Sequence, residues 1–203
     1  MLLLFFACRY PADEMGIDGA EKDRHNGTVK KRREPMGLFD FLKKNEETVN
    51  SLHIADNVLV APADGEQIDI SAVSDPVFAE KMMGDGVAFR FPKQKVTICA
   101  PANGTLSVLF PTGHAFGIIM PNGVEVLVHI GIETVNANGD GFRLASHKQG
   151  DTVKAGDPIV TADFGKLSQT YDCSTMIIIT DPKDQKITFR APGPVSLGQQ
   201  ITE

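Results

Sequence analysis

An all-β fold, a sandwich or closed barrel, is what this sequence predicts, and three observations predict it. Short apolar stretches recur at near-regular spacing between turn residues from about residue 57 onward, as in all-β domains built of many short strands. Glycine and proline are plentiful (19 and 12 residues), tryptophan is absent and tyrosine occurs twice; that mix suits strands joined by tight turns. The third observation is an internal pseudo-repeat. Val60-Ala61-Pro62-Ala63-Asp64-Gly65 is echoed 39 residues later by Cys99-Ala100-Pro101-Ala102-Asn103-Gly104. Each copy leads into an expected strand, Glu66–Ile70 and Thr105–Phe110. Pro-Ala-Asp/Asn-Gly is turn chemistry, because Gly and Asn accept positive φ.

Residues 1–35 differ from the rest. Met1–Cys8 imitates a signal or lipoprotein start, but it has no basic n-region and its apolar run is short. A polar tract follows, ending in Lys30-Lys31-Arg32-Arg33-Glu34-Pro35. Lys31–Glu34 can be encoded as AAG-AGG-AGG-GAG, a purine-rich ribosome-binding sequence just ahead of the Met36 codon. The expectation is a misassigned start, with the native protein beginning at Met36; the other reading is a disordered or targeting extension. Residues 36–56 are then a short helix and a polar linker. Gly37–Lys44 sets Leu38, Phe39, Phe41 and Leu42 on one apolar side. That segment is too short to span a bilayer, so any membrane contact through it is peripheral.

Residues 57–203 are the globular domain. Asp75–Met83 and Leu167–Tyr171 suggest one or two short helical turns. Pro121–Gly123 is the turn of a hairpin whose second strand alternates. Val124, Val126, Val128 and Ile130 share one face, and Glu125, Leu127 and His129 share the other. With the valines in the core, His129 points outward beside Leu127, and Gly131 leaves room for something to approach. Gly150–Val160 reads as a short hairpin bracketed by glycines, with an echo at Gly193–Gln200. Met176–Thr180 is a fully apolar strand, followed by the stretch Lys186–Arg190.

Composition excludes several classes. The net charge is −6, and Lys and Arg form no stripe, so nucleic acid is not an expected partner. Cys8, Cys99 and Cys173 are odd in number and far apart. A disulfide framework is not expected, and a reducing cytoplasm is the simplest setting. His25, His53 and His147 lie in polar stretches and read as solvated.

The chemistry centres on His129 and His114. A neutral imidazole is a good nucleophile near pH 7. Phosphoryl transfer to it asks the protein mainly for in-line positioning and for donors to the phosphoryl oxygens. A second histidine can supply one donor, and a hydroxyl can hold that ring in the right tautomer. If Thr112–Phe116 is extended, Thr112 shares parity with His114 and is placed to orient it.

Four segments carry a family resemblance: Val77-Phe78-Ala79-Glu80-Lys81-Met82-Met83-Gly84-Asp85-Gly86-Val87-Ala88, Pro111–Ile118, Gly123–Val135, and Gly139-Asp140-Gly141-Phe142 followed by the glycine unit at Gly150–Gly156. In order and spacing they resemble the glucose-type enzyme IIA domains of the bacterial sugar phosphotransferase system. The resemblance covers about Val58–Ile201 and implies an antiparallel β-sandwich or barrel. It implies that His129 is phosphorylated by phospho-HPr and passes the group to a cysteine on enzyme IIB. His114 would steady the phosphoryl group and Thr112 would orient His114. No cofactor is required. The implied docking ring is Phe78, Met82, Met83, Phe110, Phe116, Leu127 and Ile130, an apolar patch of the kind used for transient docking. Asp75 and Glu133 match acidic positions that meet an arginine on the donor. Glycine before His114 departs from the family pattern and suggests a loosened backbone there.

Three other functions compete with this one. A zinc hydrolase on a similar framework needs an H-x-H triplet, and here the second position is Gly131. Two histidines make a poor catalytic zinc site, though an adventitious zinc between His114 and His129 stays open. A lipoyl- or biotinyl-type carrier would display a lysine in a hairpin, whereas Lys81-Met82-Met83 lies in a helix-like segment. A regulatory protein, whose phosphorylation state controls transporters or enzymes, would use the same residues as a relay. No enzyme IIB or IIC segment lies within these 203 residues, so the acceptor is expected in trans.

Overall fold

A computed structural model describes residues 53–203 of the chain. The expectations for residues 1–35, for the Gly37–Lys44 helix and for most of the linker lie outside the described residues.

Among the described residues, eleven strands form two antiparallel sheets: β1 Gly65–Asp69, β2 Asp85–Arg90, β3 Lys95–Cys99, β4 Gly104–Leu109, β5 Ala115–Ile119, β6 Glu125–Ile130, β7 Phe142–Leu144, β8 Thr152–Val153, β9 Pro158–Asp163, β10 Thr175–Asp181 and β11 Gly193–Val195. The large sheet runs β11-β1-β2-β10-β6-β5-β4-β8, and the small one β3-β9-β7. Among the described residues there are also two four-residue α-helices, α1 Pro76–Ala79 and α2 Phe164–Leu167, and two short 3-10 turns at Ile70–Ala72 and Thr134–Ala137. The antiparallel β-sandwich predicted from the sequence is the observed fold. Among the described residues, no helix is long and apolar enough to cross a membrane.

The pseudo-repeat is a structural one. Val60 N–H donates to the Pro101 carbonyl, and Cys99 N–H donates reciprocally to that of Pro62, at 2.8 and 2.9 Å. Each copy also holds one glycine echo. Gly198 N–H donates to Ala61 and Gly156 N–H to Ala100. The Asp64 and Asn103 side chains accept from Leu197 and Ala155 N–H at 2.7 and 2.9 Å. Turn residues that look merely local in sequence therefore bind the two halves together. The Gly150–Val160 unit is not a hairpin, however. β8 pairs with β4 in the large sheet, while β9 pairs with β3 and β7 in the small one. A glycine-bracketed turn connects strands equally well when they part to different sheets.

The main core fills the space between the sheets and includes Phe89, Ile98, Phe116, Val126, Val128, Ile130, Val160 and Ile177. A second, smaller core lies apart from it: Ile68, Ile70, Val73, Phe78, Ala88, Ile132, Met176 and Ile178, with Met83 and Leu127 packed against it. Consecutive residues of a strand face opposite ways, so the middle of β10, residues 176–179, is an unbroken apolar run because both its faces are covered. Ile177 and Ile179 enter the main core, Met176 and Ile178 the second. The Asp75 side chain caps α1 by accepting from Val77 N–H, with Pro76 at its first position, an arrangement that matches the preferences of helix starts. α2 begins three residues earlier than expected, because Asp163 caps it through Lys166 N–H; turns then carry the chain on to Tyr171.

Candidate functional site

His129 sits on β6 between β5 and β10, opposite Ala115 and Met176. The alternation read from the sequence is the observed one: Val126, Val128 and Ile130 are buried, while Glu125, Leu127 and His129 are half-buried on the other face. His129 does not stand free in solvent, because that face carries the second core. The Phe78 ring lies 5.1 Å from the His129 ring, tilted by 49°. His114 lies just before β5, and its carbonyl accepts from Ile130 N–H at 2.8 Å. That bond ties the two histidine backbones together. Their ring centroids are 5.5 Å apart, edge to face at 74°. Phe110 flanks His114 at 4.9 Å.

The Nδ1 atom of each ring is engaged. His129 Nδ1 lies 2.9 Å from the Gly131 carbonyl. A carbonyl only accepts, so Nδ1 carries the proton and Nε2 holds the lone pair. Thr112 Oγ1 lies 2.5 Å from His114 Nδ1. When the hydroxyl donates there, His114 keeps its proton on Nε2 and becomes a donor. The contact expected between Thr112 and His114 exists, but not for the expected reason. Pro111–His114 is a turn rather than extended chain. Gly113, at φ +74°, brings threonine back to its neighbour, and Phe142 Cβ lies only 2.9 Å from where a Gly113 Cβ would be. Glycine before the histidine fixes this turn; it does not loosen it.

Burial holds the His129 pKa down, to about 4, and neighbouring His114 adds to the depression. The Gly131 hydrogen bond and the Asp75 charge act weakly the other way. Burial also lowers that of His114. Both rings are therefore neutral at pH 7. A histidine held neutral in the fold but free to protonate when unfolded makes acid destabilising. Its contribution is fully present above the ordinary value of 6.5 and is lost as pH falls toward about 4. At about 1.4 kcal/mol per unit, His129 alone accounts for roughly 3 kcal/mol. Urea titrations at pH 7 and pH 4.5 should show this loss in the wild type and a smaller one in His129→Gln. Equal losses in the two proteins would contradict it.

Gly131 has φ +76°, and a Cβ there would meet Thr134 Cγ2 at 2.5 Å and the Asp172 carbonyl at 3.1 Å. An L-residue in this conformation costs about 1–2 kcal/mol before any crowding. Gly131→Ala is expected to lower Tm by several degrees and to displace the carbonyl that orients His129. A melt superimposable on the wild type would refute the first effect. Thr134 is fully buried and donates to the Ile130 carbonyl at 2.5 Å, holding the same turn from below. Neither the Gly131 carbonyl nor Thr134 stood out in the sequence, since a backbone acceptor leaves no side-chain signature.

The expected docking residues divide. Met82 is 66% exposed, and Met83, Phe110 and Leu127 are half-buried. Asp75 is half-buried, and Glu133 is exposed and accepts from Asn136. Phe116 and Ile130 are fully buried in the main core, so neither can present a surface to a partner. Both point to the core face, Ile130 by the same alternation that turns His129 the other way. Phe78 is 5% exposed and packs in the second core against His129; it is a wall of the site and not part of an open rim. Val77 and Val135 are exposed apolar residues next to Phe78 and Thr134, and the sequence reading missed them.

Among the described residues, no group of three or more His, Cys, Asp or Glu side chains is arranged to hold a metal. A cavity of about 400 Å³ is lined by Gln67, Asp69, Lys81, Asp85 and Arg190 among others, and neither histidine lines it. The candidate site, the histidine pair, is therefore separate from this cavity.

Fold and site together define an antiparallel β-sandwich that presents two neutral imidazoles, each with its Nδ1 engaged, among apolar side chains. Residues 57–185 match the family described as phosphoenolpyruvate-dependent sugar phosphotransferase system, EIIA 1, and the chain belongs to that family. It is similar to the glucose permease IIA from Mycoplasma capricolum, with 36% identity and a TM-score of 0.66, over 71% of this chain and 93% of that one. Two Staphylococcus carnosus proteins are also similar. The PTS system glucoside-specific EIICBA component is 37% identical over 145 residues, 71% of this chain and 20% of its own length. The PTS system glucose-specific EIICBA component is 34% identical over 158 residues, 77% of this chain and 23% of its own. The chain thus spans about a fifth of the length of these relatives. By family and fold it is a glucose-type IIA domain.

Proposed function

We propose that this protein relays a phosphoryl group between proteins, taking it from phospho-HPr onto His129 Nε2 and handing it to a cysteine of a sugar permease's enzyme IIB. The carrying observation is the histidine pair: rings 5.5 Å apart, with Nδ1 of each already bonded. That arrangement leaves the Nε2 lone pair of His129 as nucleophile and the Nε2 proton of His114 as donor. In the first step the Nε2–P bond forms as phosphorus parts from the donor, which keeps the electron pair. In the second, the IIB sulfur attacks phosphorus and the pair returns to Nε2. The Gly131 carbonyl holds the Nδ1 proton throughout, and His114 donates to the phosphoryl oxygens, where charge is concentrated.

Asp75 and Glu133 place negative charge beside an apolar face that includes Met82, Met83, Phe110 and Leu127. A basic donor would be steered there, raising encounter rate more than affinity. No cofactor enters either step. The enzyme IIB acceptor lies outside these 203 residues, and transfer takes place in the cytoplasm. The test is incubation with phosphoenolpyruvate, enzyme I and HPr, followed by detection of acid-labile phosphate on His129. Absence of label with active components would defeat the reading.

A further inference from the structure

Asp172 lies outside every motif that pointed to function, yet it joins both sides of the His129 site. Its Oδ2 accepts from Ser74 Oγ at 2.7 Å, across 98 residues of sequence. Its Oδ1 accepts both the N–H and the O–H of Ser174, at 2.8 and 2.7 Å. Two backbone bonds of the Gly131 turn land on this same segment: Gly131 N–H on the Ser174 carbonyl at 3.0 Å, and Ile132 N–H on the Asp172 carbonyl at 2.7 Å. The peptide between those two N–H groups carries the carbonyl that receives His129 Nδ1. On the other side, Ser74 precedes Asp75, the cap of α1, and α1 carries Phe78, whose ring walls the imidazole.

We propose that Asp172 is a positioning residue for phosphoryl transfer at His129, its carboxylate clamping the Ser74–Phe78 segment to the Gly131 turn. This rests on His129 being the phosphoryl acceptor. The physical need is clear. Ser74 and Asp172 both lie in exposed chain, and such segments open locally at little cost. Hydrogen bonds to an ionised group are about twice as strong as neutral ones. A single carboxylate accepting three of them holds two segments with one side chain. Partial burial of Asp172 acts to raise its pKa, but the Ser174 and Ser74 hydrogen bonds and the nearby Arg90 charge outweigh it. The value ends below the usual 3.8, so the clamp is charged wherever His129 is neutral.

The test uses the full chain, with ¹⁵N NMR of His129 and rates of phosphate acceptance against phospho-HPr concentration. The wild type should show one tautomer, protonated on Nδ1. Asp172→Ala should mix the tautomers and cut the rate at saturating donor at least tenfold, with Tm little changed. Asp172→Asn keeps an oxygen for Ser174 and an amide for Ser74, and should restore the tautomer and most of the rate. Ser74→Ala should leave the tautomer alone and raise the donor concentration for half-maximal rate. A wild-type tautomer and rate in Asp172→Ala would overturn the proposal. So would an Asn variant as impaired as Ala, or unchanged half-saturation in Ser74→Ala. A wild type that takes no phosphate from an active donor would sink the relay itself, while the tautomer comparison would still decide the clamp.

Discussion

His129→Ala is expected to abolish acid-labile phosphate on the protein, to the background of an assay with phosphoenolpyruvate, enzyme I and HPr. The effect should be total because the site offers no substitute nucleophile. His114 has its Nδ1 engaged by Thr112, and in the proposed relay its Nε2 serves as donor. Cys173 has its pKa pushed up to about 11, first by burial and then by Asp172, and Cys99 reaches about 11 by burial and Asp157; thiols so held are poor nucleophiles. The variant should remain folded, because His129 is only half-buried and lies outside the main core. Label that survives the substitution would place the acceptor elsewhere.

His114→Gln should separate the two halves of the relay. Acceptance of phosphate depends on the lone pair of His129 and is expected to persist at reduced rate. Onward transfer should fall by about 10²–10³, the cost of removing one well-placed donor from a developing charge. His114 is suited to that role because it is fixed on three sides. Its carbonyl holds Ile130 N–H, its Nδ1 meets Thr112, and its ring packs on Phe110. Thr112→Val should shift transfer in the same direction by a smaller factor, through loss of the tautomer. Rapid-quench transfer to enzyme IIB would measure both. Normal transfer by His114→Gln would remove the histidine from the mechanism.

The pattern of these effects follows from how the site is made. His129 was legible because alternation along one strand decides which way a side chain points, and period two survives in any sheet. The same rule placed Ile130 on the core face, and there it conflicts with the docking role implied by resemblance; burial settles the conflict for the core. Phe78 was legible as apolar but not as a wall, because its contact with His129 spans 51 positions of sequence. The second core decided that contact, and it forms only when α1 folds over the outer face of β2 and β10. Thr112 was identified by a parity argument that the turn at Gly113 makes irrelevant. A turn and a strand can both bring two side chains together, and residue types alone do not distinguish them.

Sequence alone determined the all-β class, the pseudo-repeat and the strand face that carries His129, while its pairing with His114 rested on the family resemblance. The first three are carried by local rules: period-two alternation, turn chemistry, and residue types with fixed chemistry. Tertiary structure decided the rest. It set which strands share a sheet, so that β8 and β9 part company. It set the neutral state of the imidazoles, which burial imposes on both and the nearness of His114 reinforces at His129. And it set the Gly131 carbonyl, Thr134 and Asp172 around the acceptor, since backbone acceptors and long-range clamps become visible only once distant segments are brought within a hydrogen bond of each other.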